Sequence, residues 1–227
     1  MKKLTFIIAL AGTLLSSSIM QAAPMISLSV QEGALPALTV GPSSGSVVSI
    51  NNGTTYGDFT IESLTGSGSP LFAVPYLDLS TFDVTTSLTS SATLTIMLTE
   101  TGLTLPSSPL PVSSAFIGIL SGVTSETISS YYDASNTAYG TANSLGTTTF
   151  TAAGSNSTDK FGTITAPGLV SETEIIVATF APTGGLTDSL NSSALITSTA
   201  PEPVSMGVVG AGLFGVGLIG FRRRKKS

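Results

Sequence analysis

Between residues 25 and 199 apolar and polar side chains alternate with a period of two, in short runs separated by Gly, Pro, Ser and Asn clusters. In SATLTIMLTE, Leu94, Ile96 and Leu98 fall on one face; Thr93, Thr95, Met97 and Thr99 fall on the other. GDFTIESL sets Phe59, Ile61 and Ser63 against Asp58, Thr60 and Glu62. TEIIVATFAP carries Ile176, Ala178 and Phe180 on one face and Ile175, Val177 and Thr179 on the other. That pattern predicts a strand buried on both faces. SVVSINNG, SSAFIGILSG, ISSYYDA, GTTTFTAA and KFGTIT complete the set, and Asn52–Gly53 and Gly184–Gly185 read as turns. About ten short strands without a helical stretch predict an all-β fold, a two-layer antiparallel β-sandwich of jelly-roll-like form. A β-solenoid is the alternative, but no fixed repeat period runs through the chain.

The two ends break this pattern. At the start, Lys2 and Lys3 precede a twelve-residue apolar run, residues 4–15, and then small residues. That is the layout of a secretory signal peptide, with cleavage after Ala22 or Ala23. The run is too short for a comfortable span of about 20 residues. At the other end Pro201, Glu202 and Pro203 interrupt any helix or central strand. Residues 204–221 follow without a charge, and then Arg222, Arg223, Arg224, Lys225 and Lys226. Eighteen helical residues rise only about 27 Å, just short of a hydrocarbon core of about 30 Å. The basic end stays cytoplasmic by the positive-inside rule. Six of the eighteen are Gly, which weakens a helix and adds no transfer energy. Gly207, Ala211 and Gly215 form a small face that lets another transmembrane helix approach closely.

Two readings of this tail stand side by side: a lasting anchor with a dimerising face, or an address that is read and removed. The ordered arrangement of Pro-Glu-Pro, Gly-rich span and basic end resembles the PEP-CTERM sorting signal. The likeness covers about the last 27 residues, 200–227, and it implies an exported substrate of an exosortase, an integral membrane cysteine transpeptidase of Gram-negative bacteria. It also implies roles: Pro201, Glu202 and Pro203 for recognition, 204–221 for retention in the inner membrane, and 222–226 as the stop. The precursor would sit transiently in the inner membrane, and the body would end at the cell surface or in the extracellular matrix, where exopolysaccharide is an implied partner. The stretch from Pro75 through LTIMLTETGLT resembles a segment of other such β-rich bodies. The expected organisation is therefore a signal peptide (1–23), a β-sandwich (24–199) and a sorting tail with a single membrane helix (200–227).

Composition narrows what the body does. Only 9% of the 227 residues are charged, so its polar surface rests on Ser, Thr, Asn and Gly. Between residues 24 and 200 Lys160 is the one base, against twelve acids. So acidic a body repels nucleic acid. The chain has no Cys and no His. This excludes disulfides, thiolate metal sites, His-based zinc, and Ser-His or Cys-His nucleophile pairs. Carboxylate pairs remain: Glu172 and Glu174 on one strand face, and Asp78 and Asp83 flanking a turn. Acids two apart are ordinarily a solvated strand face, and Lys160 beside Asp159 is ordinarily a surface ion pair. No Asp-x-Asp-x-Asp-Gly calcium loop occurs. Tyr131, Tyr132 and Tyr139 are the candidate aromatic platform for a sugar, although Trp is absent. The Asn-x-Ser/Thr triplets at Asn52, Asn156 and Asn191 are those expected of so hydroxyl-rich a chain. The expected protein is a non-enzymatic surface or matrix protein with no cofactor. The alternative is a membrane-tethered glycan- or calcium-binding module that keeps its anchor.

Overall fold

The computed structural model describes residues 23–69, 76–182 and 187–199. The expected signal peptide, Gly184–Gly185, the sorting motif, the small helix face and the basic end lie outside the described residues. Among the described residues there is no helix, and so none long and apolar enough to cross a membrane.

Twelve strands follow one another among the described residues. The first four are β1 (Met25–Glu32), β2 (Leu38–Ser43), β3 (Val47–Tyr56) and β4 (Phe59–Gly68). Then come β5 (Tyr76–Thr86), β6 (Ala92–Thr104), β7 (Leu110–Ser121) and β8 (Val123–Asp133). The last are β9 (Asn143–Phe150), β10 (Gly154–Ile164), β11 (Leu169–Phe180) and β12 (Asp188–Ser198). They form two six-stranded sheets, β2-β1-β6-β11-β8-β9 (sheet A) and β10-β7-β12-β5-β4-β3 (sheet B). Every pairing is antiparallel. Strands β5 to β12 interleave as β5-β12-β7-β10 and β6-β11-β8-β9, the double Greek key of a jelly roll. The first four strands widen both sheets. Stacked parallel coils, as a solenoid requires, are not what this chain builds.

The period-two pattern places the core. Leu94, Ile96 and Leu98 on β6 and Ile176, Ala178 and Phe180 on β11 are fully buried between the sheets, facing Ile61, Leu64, Leu79 and Phe116. Phe59 and Phe180 meet edge to face, with ring centroids 5.0 Å apart. Each such side chain contributes about 1.5–3 kcal/mol by leaving water, and without disulfides this apolar layer holds the sheets together.

Several local expectations are corrected. Asn52–Gly53 is not a hairpin turn: it lies inside β3, at a register shift between Asn51 and Thr54, with Gly53 at φ +66°. The β3–β4 turn comes at Gly57, also at positive φ. Asp78 and Asp83 do not flank a turn; both lie within β5. Ser63 does not share the face of Phe59 and Ile61, because the inward phase slips and Leu64 takes the core position. Strand β11 is buried on both faces, but over Val170–Glu174 rather than over its last six residues, whose outer side chains are half-exposed. The β8–β9 loop causes this. It lies over the outer face of sheet A, with Ser171 Oγ donating to Thr137 O (2.6 Å) and Tyr139 N donating to Thr99 Oγ1 (3.1 Å). Asn136 Oδ1 fastens the same loop by accepting from Gly102 N at 2.6 Å.

Candidate functional site

Five of the twelve acids among the described residues are turned inward. Glu172 and Glu174 share a strand face as expected, but that face is the sandwich interior and not a solvated one: both are fully buried. The neighbouring strands add more acids. Glu100 on β6 stands directly opposite Glu172 in the ladder, and Glu126 lies on β8. Asp188, at the start of β12, is also buried. Like charges directly opposite on neighbouring strands repel, so proton uptake is the way such a pair is accommodated.

Glycines make the room. A Cβ on Gly68 would overlap Glu100 Oε2, one on Gly118 would overlap Glu126 Oε2, and one on Gly122 would overlap Asp188 Oδ1. The few hydrogen bonds are local: Ser69 N donates to Glu100 Oε2 at 3.1 Å, and Ser192 Oγ donates to Glu126 Oε1. Glu100 Oε1, Glu126 Oε2 and both oxygens of Glu172 have no hydrogen-bond partner. Burial pushes the Glu100 carboxyl up to about 7, partly offset by the Ser69 N–H. Burial likewise pushes Glu126 up to about 7, offset by the Ser192 hydroxyl. Burial and then the nearby Glu100 push Glu172 up to about 8. Burial, with Asp78 and Glu172 adding to it, holds Glu174 well above the usual range, against the N–H groups of Leu79 and Ile196.

The other candidate residues are dispersed. Asp78 is half-buried, and burial raises its carboxyl while the hydroxyls of Ser80 and Ser193 lower it. Asp83 takes φ +48°, and its N–H donates to Asn191 Oδ1 at 2.8 Å, where the β5–β12 register shifts. Asp159 and Lys160 are consecutive residues of β10, so they project from opposite faces, and no ion pair joins them. Asn156 Nδ2 donates to Ala152 O and Gly154 O, and closes its own turn. Tyr131, Tyr132 and Tyr139 do not form an exposed platform: Tyr132 is buried in the core and the other two are half-buried. Among the described residues no three acids are gathered so that they could hold a metal ion.

Open depressions lie elsewhere, one of about 380 Å³ beside Ser108 and Pro167 among them. A shallow groove of about 420 Å³ crosses β5, β12 and β7 on the outer face of sheet B, with the exposed side chains of Ile117 and Ile119 beside Ser80, Asn191 and Ser193. Another depression, about 640 Å³, lies at one end of the sandwich between Leu35, Gly57, Asp58 and Ser90. There Glu32 Oε2 accepts from Asp58 N at 2.8 Å.

No family model and no curated protein matches the chain. Among solved structures it is similar to TmCBM61 in complex with beta-1,4-galactotriose, at 10% identity and TM-score 0.35, over 74% of this chain and 86% of that one. It is also similar to the enzymatically active domain of bacteriophage CBA120 tailspike protein 4, at 12% identity and TM-score 0.32, over 67% of this chain and 19% of that one. A third is a CBM4 structure, at 8% identity and TM-score 0.26, over 67% of this chain and 86% of that one. Likenesses this distant carry no argument about function, and the fold stands on its own strand order.

Proposed function

We propose that the protein is an exported, non-catalytic β-sandwich, sorted by an exosortase to the cell surface or extracellular matrix of a Gram-negative bacterium. One observation in the body carries this reading: Glu172 and Glu174, the strongest candidates for acid–base chemistry, are enclosed between the sheets. Two-carboxylate hydrolysis needs both groups beside a bond the substrate can bring to them. Without His or Cys the outward faces carry mostly hydroxyls, amides and aliphatic side chains, with scattered acids such as Asp58, Glu62 and Asp159. The sorting half of the reading is supported by the order of Pro201, Glu202 and Pro203, the span 204–221 and the basic end 222–226. Intact-mass measurement of protein recovered from its host tests it. The expected mass lacks both ends, with cuts near Ala22 or Ala23 and near Pro201. A mass that retains 204–227 overturns the sorting half and leaves an anchored protein.

The second reading, a glycan-binding module, is favoured by the sheet B groove, where the aliphatic ledge of Ile117 and Ile119 meets hydroxyl and amide groups. Retardation of the protein in gels containing exopolysaccharide tests it. The reading requires retardation that the Ile117→Ser, Ile119→Ser double variant abolishes.

A further inference from the structure

We propose that the interior of this sandwich is a proton-held acid core. Glu100, Glu126 and Glu172 fold as neutral carboxylic acids, and the two sheets loosen reversibly when alkaline conditions remove those protons.

The geometry requires a neutral state. The three acids come from three adjacent strands of sheet A and project between the sheets. Each keeps at least one oxygen without a partner. An unpaired buried carboxylate is strongly disfavoured, and such a group neutralises rather than stay charged. Among the described residues nothing around them supplies a positive charge. Sheet A adds Glu174 and Tyr132 to the interior, and Glu32 lies at the end of β1, where it accepts from Asp58 N. Facing them, sheet B brings Asp188, with Asp78 and Tyr76 near Glu174, and all three are neutral or acidic. The strands β7 and β9 have no titratable side chain, and Glu62 on β4 is exposed. Lys160 is the one base among the described residues. It lies on edge strand β10, its stem against Gly146, and it pairs with no acid.

The sign follows from proton counts. The unfolded chain gives up these protons near the ordinary value of 4.5, whereas the folded chain holds them to about 7 for Glu100 and Glu126 and about 8 for Glu172. Between those limits the folded state binds more protons, so stability falls as pH rises. It is greatest below about 4.5 and is lost as pH climbs through 7 to 8. Each retained proton changes the folding constant about tenfold per pH unit, so three together change it roughly a thousandfold per unit near pH 6. The device does not depend on how the protein is sorted.

Thermal unfolding of the full chain in a mild nonionic detergent, followed by far-ultraviolet circular dichroism, tests the inference. The melting temperature should fall by about 10 °C or more between pH 5 and pH 8, and recover on re-acidification. In the triple variant Glu100→Gln, Glu126→Gln, Glu172→Gln most of that fall should disappear, with Glu174 leaving the remainder. A flat or rising profile in the parent, or an undiminished slope in the triple variant, overturns the proposal. Should the variant not fold, urea unfolding of the parent at pH 6 in weak buffer should release about four protons, one each from Glu100, Glu126, Glu172 and Glu174, and release of none overturns it. A chelator-sensitive rescue by calcium at pH 8 would also overturn it, because the acids would then hold a cation and not protons.

Discussion

Gly68 on β4 and Glu100 on β6 meet across the sandwich: the space where a Cβ of residue 68 would stand is filled by Glu100 Oε2. The next residue, Ser69, donates its N–H to that same oxygen at 3.1 Å. One turn of backbone thus both vacates the site and supplies its only hydrogen bond among the described residues. Gly118 leaves the same kind of space for Glu126 between β7 and β8, where the donor is instead the Ser192 hydroxyl of β12.

Gly68→Ala should therefore lower stability by about 1–3 kcal/mol, the usual cost of overpacking a filled interior. Glu100→Asp withdraws the carboxyl by one methylene and should recover part of that loss. Urea unfolding of both single variants and the double variant measures this as a coupling, whereas additive losses would mean the two sites do not touch.

Asp83 and Asn191 make a second cross-strand relationship that can be ranked by substitution. Asp83 adopts φ +48°, a conformation that Gly and Asn accept and β-branched residues resist. Asp83→Gly or Asp83→Asn should stay within about 1 kcal/mol of the parent, and Asp83→Val should lose more than either. Asn191→Ala removes the acceptor of the Asp83 N–H in a half-buried place and should cost about 1–2 kcal/mol. Urea midpoints for the four variants check the order.

Glu172 is an acid whose replacement should depend strongly on pH. Methionine matches it roughly in length, fills the same space and needs no proton. At pH 5 Glu172→Met should be close to the parent. By pH 8 it should be ahead, with the difference having grown by an amount on the order of 3 kcal/mol. Urea unfolding at the two pH values checks this, and a constant difference would contradict the raised carboxyl.

Much of this interior was already written in the phase of the sequence. Glu172 and Glu174 are in step with Ile176, Ala178 and Phe180, and Glu100 is in step with Leu94, Ile96 and Leu98. The alternation that correctly places the apolar residues places these acids inside too. What hid them was the general preference of carboxylates for water, a rule that yields here because glycines on sheet B leave space for a neutral acid. The jelly-roll class was legible because strand spacing and alternation are local properties. The β3 shift at Gly53 and the β5 slip at Asp83 were not. A turn and a bulge both use positive φ, and only the partner strand tells them apart. The burial of Tyr132 and the half-burial of Tyr139 depend likewise on sheet A and its covering loop, which no local window contains.

The tail gives the last prediction, and it separates an address from an anchor. Residues 204–221 are short, Gly-rich and marginally apolar, so membrane partition alone does not explain why Pro-Glu-Pro precedes them. Glu202 lies outside the hydrocarbon span, so Glu202→Ala should leave insertion untouched. If the motif is read by an exosortase, processing should fail and full-length precursor should accumulate in the inner membrane. If the tail only anchors, nothing should change. Replacing Gly207, Ala211 and Gly215 with Leu moves the two cases in opposite directions. Leu adds apolar transfer energy, so a plain anchor should hold more firmly. A helix that must fit closely against its processing enzyme should lose its small face and be cut more slowly. Membrane fractionation with blotting for the body reads both variants, and normal release of mature protein from Glu202→Ala would defeat the sorting reading.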